Sequence, residues 1–433
     1  MTDILIKNGY ILTMNEDREI IKKGDIAIEG DQITDIGEDL EKNNSEKAID
    51  ARNKAVLPGL INAHTHLSMV LFRGVADDLD LQTWLEEKIW PLEANLESED
   101  VYIGALLGCL EMIKSGTTCF ADLYFFMDRV AEAVEKSGLR ANLAYGIIEQ
   151  NDPEKRKKEL EVGKKLVKDL EGAADGRIST MFGPHSTYTC SVDCLKEVRE
   201  LADKHDVGIH IHLSENEREV EDVVDMYDKR PPELLDSIDF LASDVLAAHC
   251  TCLNEHEIDL LQRNNVKPVH NPVSNMKLGS GIAPVPELLS RNVPVSLGTD
   301  GAASNNSLDM FDELKFAALL SKIGKKDPTV VPARKALETA TIHGAEAIGR
   351  ENEIGSLEPG KKADIILVDM KKPHLTPIFN IESHLVYSCN GSDVDSVIVN
   401  GEILMNNREI LTLDEEKILK DGQKTAEKLA EKV

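Results

Sequence analysis

The stretch that decides the fold covers residues 56–67 and has the sequence VLPGLINAHTHL. It begins with apolar residues typical of a buried strand and ends on two histidines, His64 and His66, separated by one residue. Residues i and i+2 of a strand point to the same face, so both imidazoles would aim in one direction. Two neutral imidazoles on one face are a typical start of a divalent metal site.

Seven more short apolar runs follow, and amphipathic segments with helical spacing separate them. They cover residues 116–124, 140–148, 178–186, 207–215, 245–250, 267–275 and 294–301. Eight strands that alternate with helices predict an α/β fold, namely a (β/α)₈ barrel of the TIM type over residues 58–349.

Polar side chains stand near the ends of these predicted strands. They are His64 and His66, Asp122, Tyr145 or Glu149, His185, His212 and Glu215, His249, Asn271, and Asp300. Any one of them alone could be a satisfied core group. Polar residues at nearly every strand end favour a functional site, because chemistry in this fold lies where the strands end and burying such groups without purpose is costly.

The two chain ends have a different pattern. Residues 1–57 and 350–412 contain short strand-like runs with turns such as Asn8-Gly9 and Asn400-Gly401. Neither segment is long enough for a comfortable core of its own, so we predict that both build one small β-sandwich domain. Residues 413–433 predict a charged amphipathic C-terminal helix, either solvated or packed on a neighbour.

The composition limits the partners and the location. Acidic residues number 78 and basic residues 49, a net charge of −29, which argues against nucleic acid and anionic membranes as main partners. No apolar run is long enough to span a bilayer. Seven cysteines without a CxxC pair do not form a disulfide framework. We therefore expect a cytoplasmic protein.

Four residues are candidate metal ligands: His64, His66, His212 and Asp300. Three imidazoles and one carboxylate suit Zn²⁺, with Fe²⁺ as an alternative. Glu215 follows His212 by three residues and could shuttle protons, or it could be an ordinary acid at the start of the next helix. His249 could stabilise developing negative charge, or pack in the core.

In combination, these motifs resemble the amidohydrolase superfamily. The resemblance rests on PGLINAHTH (58–66), HIHLSE (210–215), AHC (248–250), SLGTDG (296–301) and the segment 355–369. Within the superfamily, the chain is most similar to the 5′-methylthioadenosine/S-adenosylhomocysteine deaminase group, which includes 5′-deoxyadenosine deaminases. The motifs that indicate this group are GVADD (74–78), WL (84–85), WPLE (90–93), GPH (183–185) and NN (305–306).

The resemblance implies zinc-dependent hydrolytic deamination of adenosine-type nucleosides derived from S-adenosylmethionine, which yields the inosine analogue and ammonia. It also implies that Glu93 holds the ribose hydroxyls, that His185 contacts the nucleoside and that Trp84 walls the purine pocket. Without the resemblance, Glu93 would be interpreted as an acidic turn and Trp84 as a core aromatic. Relatives are often tetramers, so we expect a homo-oligomer.

Two features adjust this expectation. Related hydrolases with two metals bridge them by a carboxylated lysine on strand four, and residues 178–186 contain no lysine. We therefore predict one metal per subunit, with His210 in a packing or supporting role. Relatives that use S-adenosylhomocysteine well carry an arginine where Tyr145 stands here, although Arg156 or a neighbouring lysine could compensate.

The absence of that arginine predicts a preference for 5′-deoxyadenosine over 5′-methylthioadenosine, S-adenosylhomocysteine and adenosine. The alternatives are another reaction on the same site, such as guanine deamination or triazine dechlorination, and a non-catalytic barrel that serves as a scaffold. A ribose-binding Glu93 argues against the first, since neither substrate carries a ribose. The complete set of ligands argues against the second.

Overall fold

The strands of the protein fall into two sheets. The computed structural model describes residues 2–40 and 45–432, so the predicted outer limits Met1 and Val433 lie outside the described residues. The strands are β1 (Thr2–Leu12), β2 (Ile20–Glu29), β3 (Gln32–Gly37), β4 (Ser45–Asp50), β5 (Lys54–Pro58), β6 (Leu60–Thr65), β7 (Thr117–Tyr124), β8 (Arg140–Ile147), β9 (Ile178–Pro184), β10 (Gly208–Leu213), β11 (Val245–His249), β12 (Lys267–His270), β13 (Ser296–Leu297), β14 (Ile365–Asp369), β15 (Val394–Val399), β16 (Glu402–Asn406) and β17 (Glu409–Ile410).

Helices connect most of these strands. The α-helices are α1 (Leu81–Trp84), α2 (Trp90–Glu93), α3 (Ser98–Ser115), α4 (Met127–Ser137), α5 (Pro153–Leu170), α6 (Ala173–Gly176), α7 (Val192–His205), α8 (Glu217–Tyr227), α9 (Pro231–Ser237), α10 (Glu255–Arg263), α11 (Pro272–Lys277), α12 (Val285–Ser290), α13 (Ala302–Asn305), α14 (Met310–Lys325), α15 (Ala333–Thr339), α16 (Ile342–Ala347), α17 (Ile381–Tyr387) and α18 (Glu415–Ala430). A π-helical turn, Leu85–Ile89, joins α1 to α2, and 3₁₀ turns cover Leu67–Phe72, Pro373–Leu375 and Gly391–Asp393.

The predicted barrel is confirmed. Strands β6 to β13 lie in chain order in one parallel sheet, and the N–H of Asp300 donates to the carbonyl of His64 at 3.0 Å, which brings the last strand to the first. The last strand is shorter than predicted. Pro294 has no N–H for a ladder, and Asp300 has φ 58°, which is incompatible with extended backbone.

Residues 56–67 form two strands rather than one. Strand β5 pairs with β14 in the second sheet, while β6 opens the barrel. Gly59 lies between them, and a Cβ at this position would be 2.0 Å from Oγ1 of Thr118. Only glycine therefore lets the chain cross from one sheet to the other at this point.

The predicted β unit built from both chain ends is confirmed. It is one continuous mixed sheet in the order β17-β16-β15-β14-β5-β1-β2-β3, with β4 paired to β1. Its own apolar cluster includes Ile6 and Ile26 from the first segment and Ile365 and Ile398 from the last. The exact domain limits, at 57/58 and 349/350, stay a prediction.

The C-terminal helix α18 lies on its own barrel, not in solvent. Gly422 packs so closely on α3 that a Cβ there would be 2.9 Å from Cδ2 of Leu107, and Lys114 on α3 bonds Glu415 at 2.5 Å. Within residues 2–40 and 45–432, no helix combines the length and apolar character needed to cross a bilayer.

A buried ion pair joins the barrel to the β unit. Arg140 on β8 donates to both carboxylate oxygens of Asp364 at 2.9 and 3.1 Å, and both side chains are almost fully buried.

We expect Asp364→Ala to lower the free energy of unfolding by about 3–5 kcal/mol, because it leaves the Arg140 charge buried and unpaired. Urea denaturation measures this. Asp50→Ala, which breaks the exposed pair with Arg52, is the control and should leave the urea midpoint almost unchanged, because water and salt screen such a pair; equal losses would contradict the assignment.

Candidate metal centre and active site

The four predicted metal ligands meet at the carboxyl ends of the barrel strands. Oδ1 of Asp300 lies 3.4 Å from Nε2 of His64 and 3.2 Å from Nε2 of His66. Nε2 of His212 lies 3.3 Å from Nε2 of His66. His64 lies near the end of β6 and His212 near the end of β10. Parallel strands of one barrel therefore bring together residues that are far apart in the sequence.

Backbone carbonyls fix which nitrogen of two rings carries the proton. Nδ1 of His66 is 2.6 Å from the carbonyl of Leu123, and Nδ1 of His212 is 2.8 Å from that of His185. A carbonyl can only accept, so each Nδ1 carries a hydrogen, and in the neutral ring Nε2 keeps its lone pair. Burial opposes the charged form of His66, but the bond to Asp300 and the charge of that carboxylate raise the pKa of His66 to about 8. Without a proton or a metal cation between them, the two Nε2 atoms at 3.3 Å would repel one another. Nε2 of His64 is also buried and has no hydrogen-bond partner among the residues that the structure describes.

Three distances within the cluster fit a zinc site. Zn–N bonds of about 2.0–2.1 Å place neighbouring ligand atoms about 3.4 Å apart, close to the 3.2–3.4 Å of the pairs His64–Asp300, His66–Asp300 and His66–His212. The ligand atoms of His64, His66 and His212 lie within 4.8 Å of one another, as do those of His64, His249 and Asp300. Three imidazole nitrogens and one carboxylate oxygen suit Zn²⁺, and also Fe²⁺. The residues present therefore fit a single divalent metal ion.

Two serines that the sequence did not single out hold Asp300. Oγ of Ser274 and Oγ of Ser304 donate to Oδ2 of Asp300 at 2.7 and 2.8 Å. Oδ1 is thereby left to face the histidines. Both serines lie on short helices, α11 and α13. Ser304 follows Asp300 by four residues, whereas nothing in the sequence relates Ser274 to Asp300.

His210 supports the cluster instead of joining it. Its Nε2 lies 2.8 Å from Nδ1 of His64, and its ring is fully buried. The contact keeps Nδ1 of His64 occupied and leaves Nε2 to the site. The role of His210 as a packing or supporting residue stays a prediction.

Glu215 and His249 line the same mouth, with 3.7 Å between Oε2 of Glu215 and Nε2 of His249. Glu219 accepts the backbone N–H of Ser214 at 3.2 Å and that of Glu215 at 2.6 Å, which holds the turn that aims Glu215. Burial and the charges of Asp300 and Glu219 raise the pKa of Glu215 well above its usual range. Burial therefore favours the protonated form of Glu215.

The predicted substrate residues divide between two adjoining cavities. Trp84, Glu93 and His185 line a space of about 70 Å³, and the other polar residues of its wall are His66, His212, Glu215, His249 and Asp300. Tyr145 lines a larger, mainly apolar cavity of about 710 Å³. Trp90, Glu93 and Phe125 border both cavities, so Glu93 lies at the boundary between them.

The family model for the amidohydrolase family matches residues 55–404. The chain belongs to that family. This amidohydrolase is 54% identical over 429 residues to a protein of Methanosarcina acetivorans named 5′-deoxyadenosine deaminase, with 99% of each chain covered. It is also 48% identical to a protein of Thermoanaerobacter pseudethanolicus named 5-methylthioadenosine/S-adenosylhomocysteine deaminase. That match covers 99% of this chain and 100% of the relative.

A solved structure gives the same architecture. The adenosine deaminase of Xanthomonas campestris with bound zinc superposes with a TM-score of 0.95 at 34% identity and covers 99% of each chain. The expected family and fold are therefore confirmed for this amidohydrolase.

Removal of one ligand should empty the metal site of this amidohydrolase. We expect His66→Ala to lower the bound zinc per subunit at least about tenfold, because three ligands hold the ion far less tightly than four. Elemental analysis after brief dialysis against a chelator measures this. His256→Ala, which alters an exposed histidine on α10, is the matched control and should keep its zinc. Retention of zinc by His66→Ala would contradict the site.

Proposed function

We propose that this amidohydrolase hydrolyses the 6-amino group from adenosine-type nucleosides that derive from S-adenosylmethionine. The products are the inosine analogue and ammonia, and 5′-deoxyadenosine is the preferred substrate ahead of 5′-methylthioadenosine, S-adenosylhomocysteine and adenosine. The observation that carries the proposal is the joint presence, in one cavity, of three of the four candidate metal ligands, namely His66, His212 and Asp300, with the carboxyl groups of Glu215 and Glu93. The names of the relatives support it.

One Zn²⁺ per subunit, or Fe²⁺ in its place, would be held by His64, His66, His212 and Asp300. When bound, such an ion lowers the pKa of water towards neutrality and so supplies hydroxide at physiological pH. Asp300 is suited to accept the proton that the water loses, since Ser274 and Ser304 keep its Oδ2 occupied and orient the carboxylate.

The remaining steps are proton transfers and charge stabilisation by the chain's own residues. Glu215 gives its proton to N1 of the purine, so that negative charge does not build up on the ring as C6 is attacked. His249 lies beside Glu215 and donates a hydrogen bond to the oxygen on C6. The proton on Asp300 then passes to the departing amine, which leaves as ammonia. The C6 hydroxyl becomes a carbonyl as its proton returns to Glu215, so both carboxyl groups regain their starting protonation states.

The two cavities suggest how a nucleoside would lie. The base would face the histidines, and the ribose would lie at Glu93, because a carboxylate can accept from both hydroxyls of a diol. The 5′ group would then extend into the larger apolar cavity. The inner space of about 70 Å³ is smaller than the 300 Å³ or more that is usual for ligand sites. Residues 81–93, which cover it, would therefore open to admit the base.

The larger cavity offers little to a carboxylate. Burial and the charge of nearby Glu159 on α5 raise the pKa of the Tyr145 hydroxyl above its usual range. Arg156 faces Asp193 and Glu197 at 3.4 and 3.3 Å, away from the lining. Lys165 is the cation on the wall, and Asp128 and Asp169 accompany it there. These charges favour an uncharged 5′ group.

The first test follows the ultraviolet change from adenine to hypoxanthine. We expect fast turnover of 5′-deoxyadenosine, weaker turnover of S-adenosylhomocysteine and none of guanine. Glu215→Gln should lower kcat about 10²–10⁴-fold, because an amide cannot donate the proton. It should keep its metal. No turnover of any nucleoside by the metal-loaded protein would refute the proposal.

A second test concerns the 5′ group. Tyr145→Arg combined with Glu159→Gln should raise kcat/KM for S-adenosylhomocysteine relative to 5′-deoxyadenosine by about tenfold, because the new guanidinium can pair with the amino-acid carboxylate. Glu159 is replaced in the double variant because its carboxylate would otherwise pair with the new arginine. Glu159→Gln alone is therefore the control. An unchanged ratio in the double variant would remove the reason for the substrate ranking.

The cytoplasmic location, the absence of nucleic-acid partners and the homo-oligomeric, tetrameric state belong to the proposal as well. They follow from the acidic composition and from the resemblance of the sequence. Light scattering during size-exclusion chromatography measures the oligomeric state directly.

A further inference from the structure

Two buried asparagines converge on one nitrogen of His249. Nδ2 of Asn275 lies 2.9 Å from Nδ1 of His249, and Nδ2 of Asn271 lies 3.3 Å from it. All three side chains are buried. Asn271 directly precedes α11, and Asn275 lies on that helix, so one short helix carries both amides to the end of β11.

This arrangement is the reverse of that at the metal ligands. His66 and His212 each donate from Nδ1 to a carbonyl. An amide NH₂ can only donate, so Nδ1 of His249 must accept, and the proton of the neutral ring then resides on Nε2. Nε2 is the nitrogen that faces Glu215, at 3.7 Å.

The backbone and the packing hold the three groups in this arrangement. His249 and Cys250 have φ values of 73° and 50°, a left-handed turn that is costly for residues with a Cβ. The N–H of Cys250 donates to the carbonyl of Leu213 at 2.9 Å. The oxygen side of Asn271 faces Gly298, where a Cβ would lie 2.6 Å from Oδ1. The NH₂ of Asn271 lies on the other side of the amide, towards His249.

We propose that Asn271 and Asn275 are positioning residues that fix the tautomer of His249, so that its Nε2–H points into the site as a hydrogen-bond donor. This inference rests on the proposed function for its catalytic consequence. The opposite tautomer would present a lone pair to the oxygen on C6 and repel its developing negative charge. The two amides therefore select the form of His249 that stabilises the reaction.

The tautomer itself can be observed without any turnover. In protein labelled with ¹⁵N-histidine and loaded with zinc, the ring resonances that disappear in His249→Gln belong to His249. We expect a protonated Nε2 and an unprotonated Nδ1. In the Asn271→Leu/Asn275→Leu variant, we expect the two forms to mix. A proton found on Nδ1 in the unaltered protein, or a tautomer unchanged in the double variant, would overturn the inference.

A double-mutant cycle tests the catalytic consequence. Asn275→Leu should lower kcat about 10- to 100-fold with little change in KM, yet less than about twofold in a His249→Ala background, because the amide acts only through that ring. Equal effects in both backgrounds would indicate a merely structural role and overturn the inference. Asn142→Leu, a buried asparagine near the start of β8 that bonds Ser179, is the matched control.

Two further results keep the experiment decisive. If Asn275→Leu does not fold, Asn271→Leu takes its place in the same cycle. If the unaltered protein shows the Nε2–H tautomer but deaminates no nucleoside, the proposed function fails while the assignment of the tautomer stands. The two failures are thus distinguishable.

Discussion

The site depends on the contact that brings the last barrel strand to the first. The N–H of Asp300 donates to the carbonyl of His64, and the side chain of Asn62 bonds both the N–H and the hydroxyl of Thr299 at 3.1 and 2.7 Å. These bonds place the carboxylate from residue 300 against the imidazoles from residues 64 and 66. A slip of one residue would turn Asp300 to the other face. Closure of the barrel and assembly of the ligands are therefore one event.

Once the ligands are assembled, their proton positions follow from the scaffold. Carbonyls at the ends of β7 and β9 occupy Nδ1 of His66 and of His212. Burial and the repulsion between neighbouring imidazoles hold the pKa of His212 well below its usual range. Packing several imidazoles side by side in the interior is therefore unfavourable in the absence of a cation. A metal ion would turn these unfavourable contacts into ligand bonds. The cluster is therefore arranged in the way that favours a bound metal ion.

The sequence predicted the parts of this arrangement that periodicity and spacing encode. Alternation gave the eight strands, and the residues at the strand ends included the four ligands, Glu215 and His249. It did not predict the division of residues 56–67 between two sheets, since both halves are equally apolar and only the tight fit at Gly59 separates them. Nor did it indicate Ser274 or Asn275. Their roles arise from helix α11 packing beside β11 and β13, and short polar residues after a proline are equally typical of ordinary turns.

On the proposed function, selectivity for the substrate must come from the residues that line the two cavities, because the ligand cluster could activate water against many amino-bearing rings. Glu93 borders both cavities, so on the proposed function a ribose at this carboxylate directs the base inward and the 5′ group outward. A terminal carboxylate would then meet Asp128 and Asp169, with Lys165 as the cation among the described residues of that lining, on a chain of net charge −29. Long-range repulsion is screened by salt, but these contacts are short-range and act inside an apolar space. The wall therefore disfavours a charged 5′ group even where the barrel chemistry would accept it.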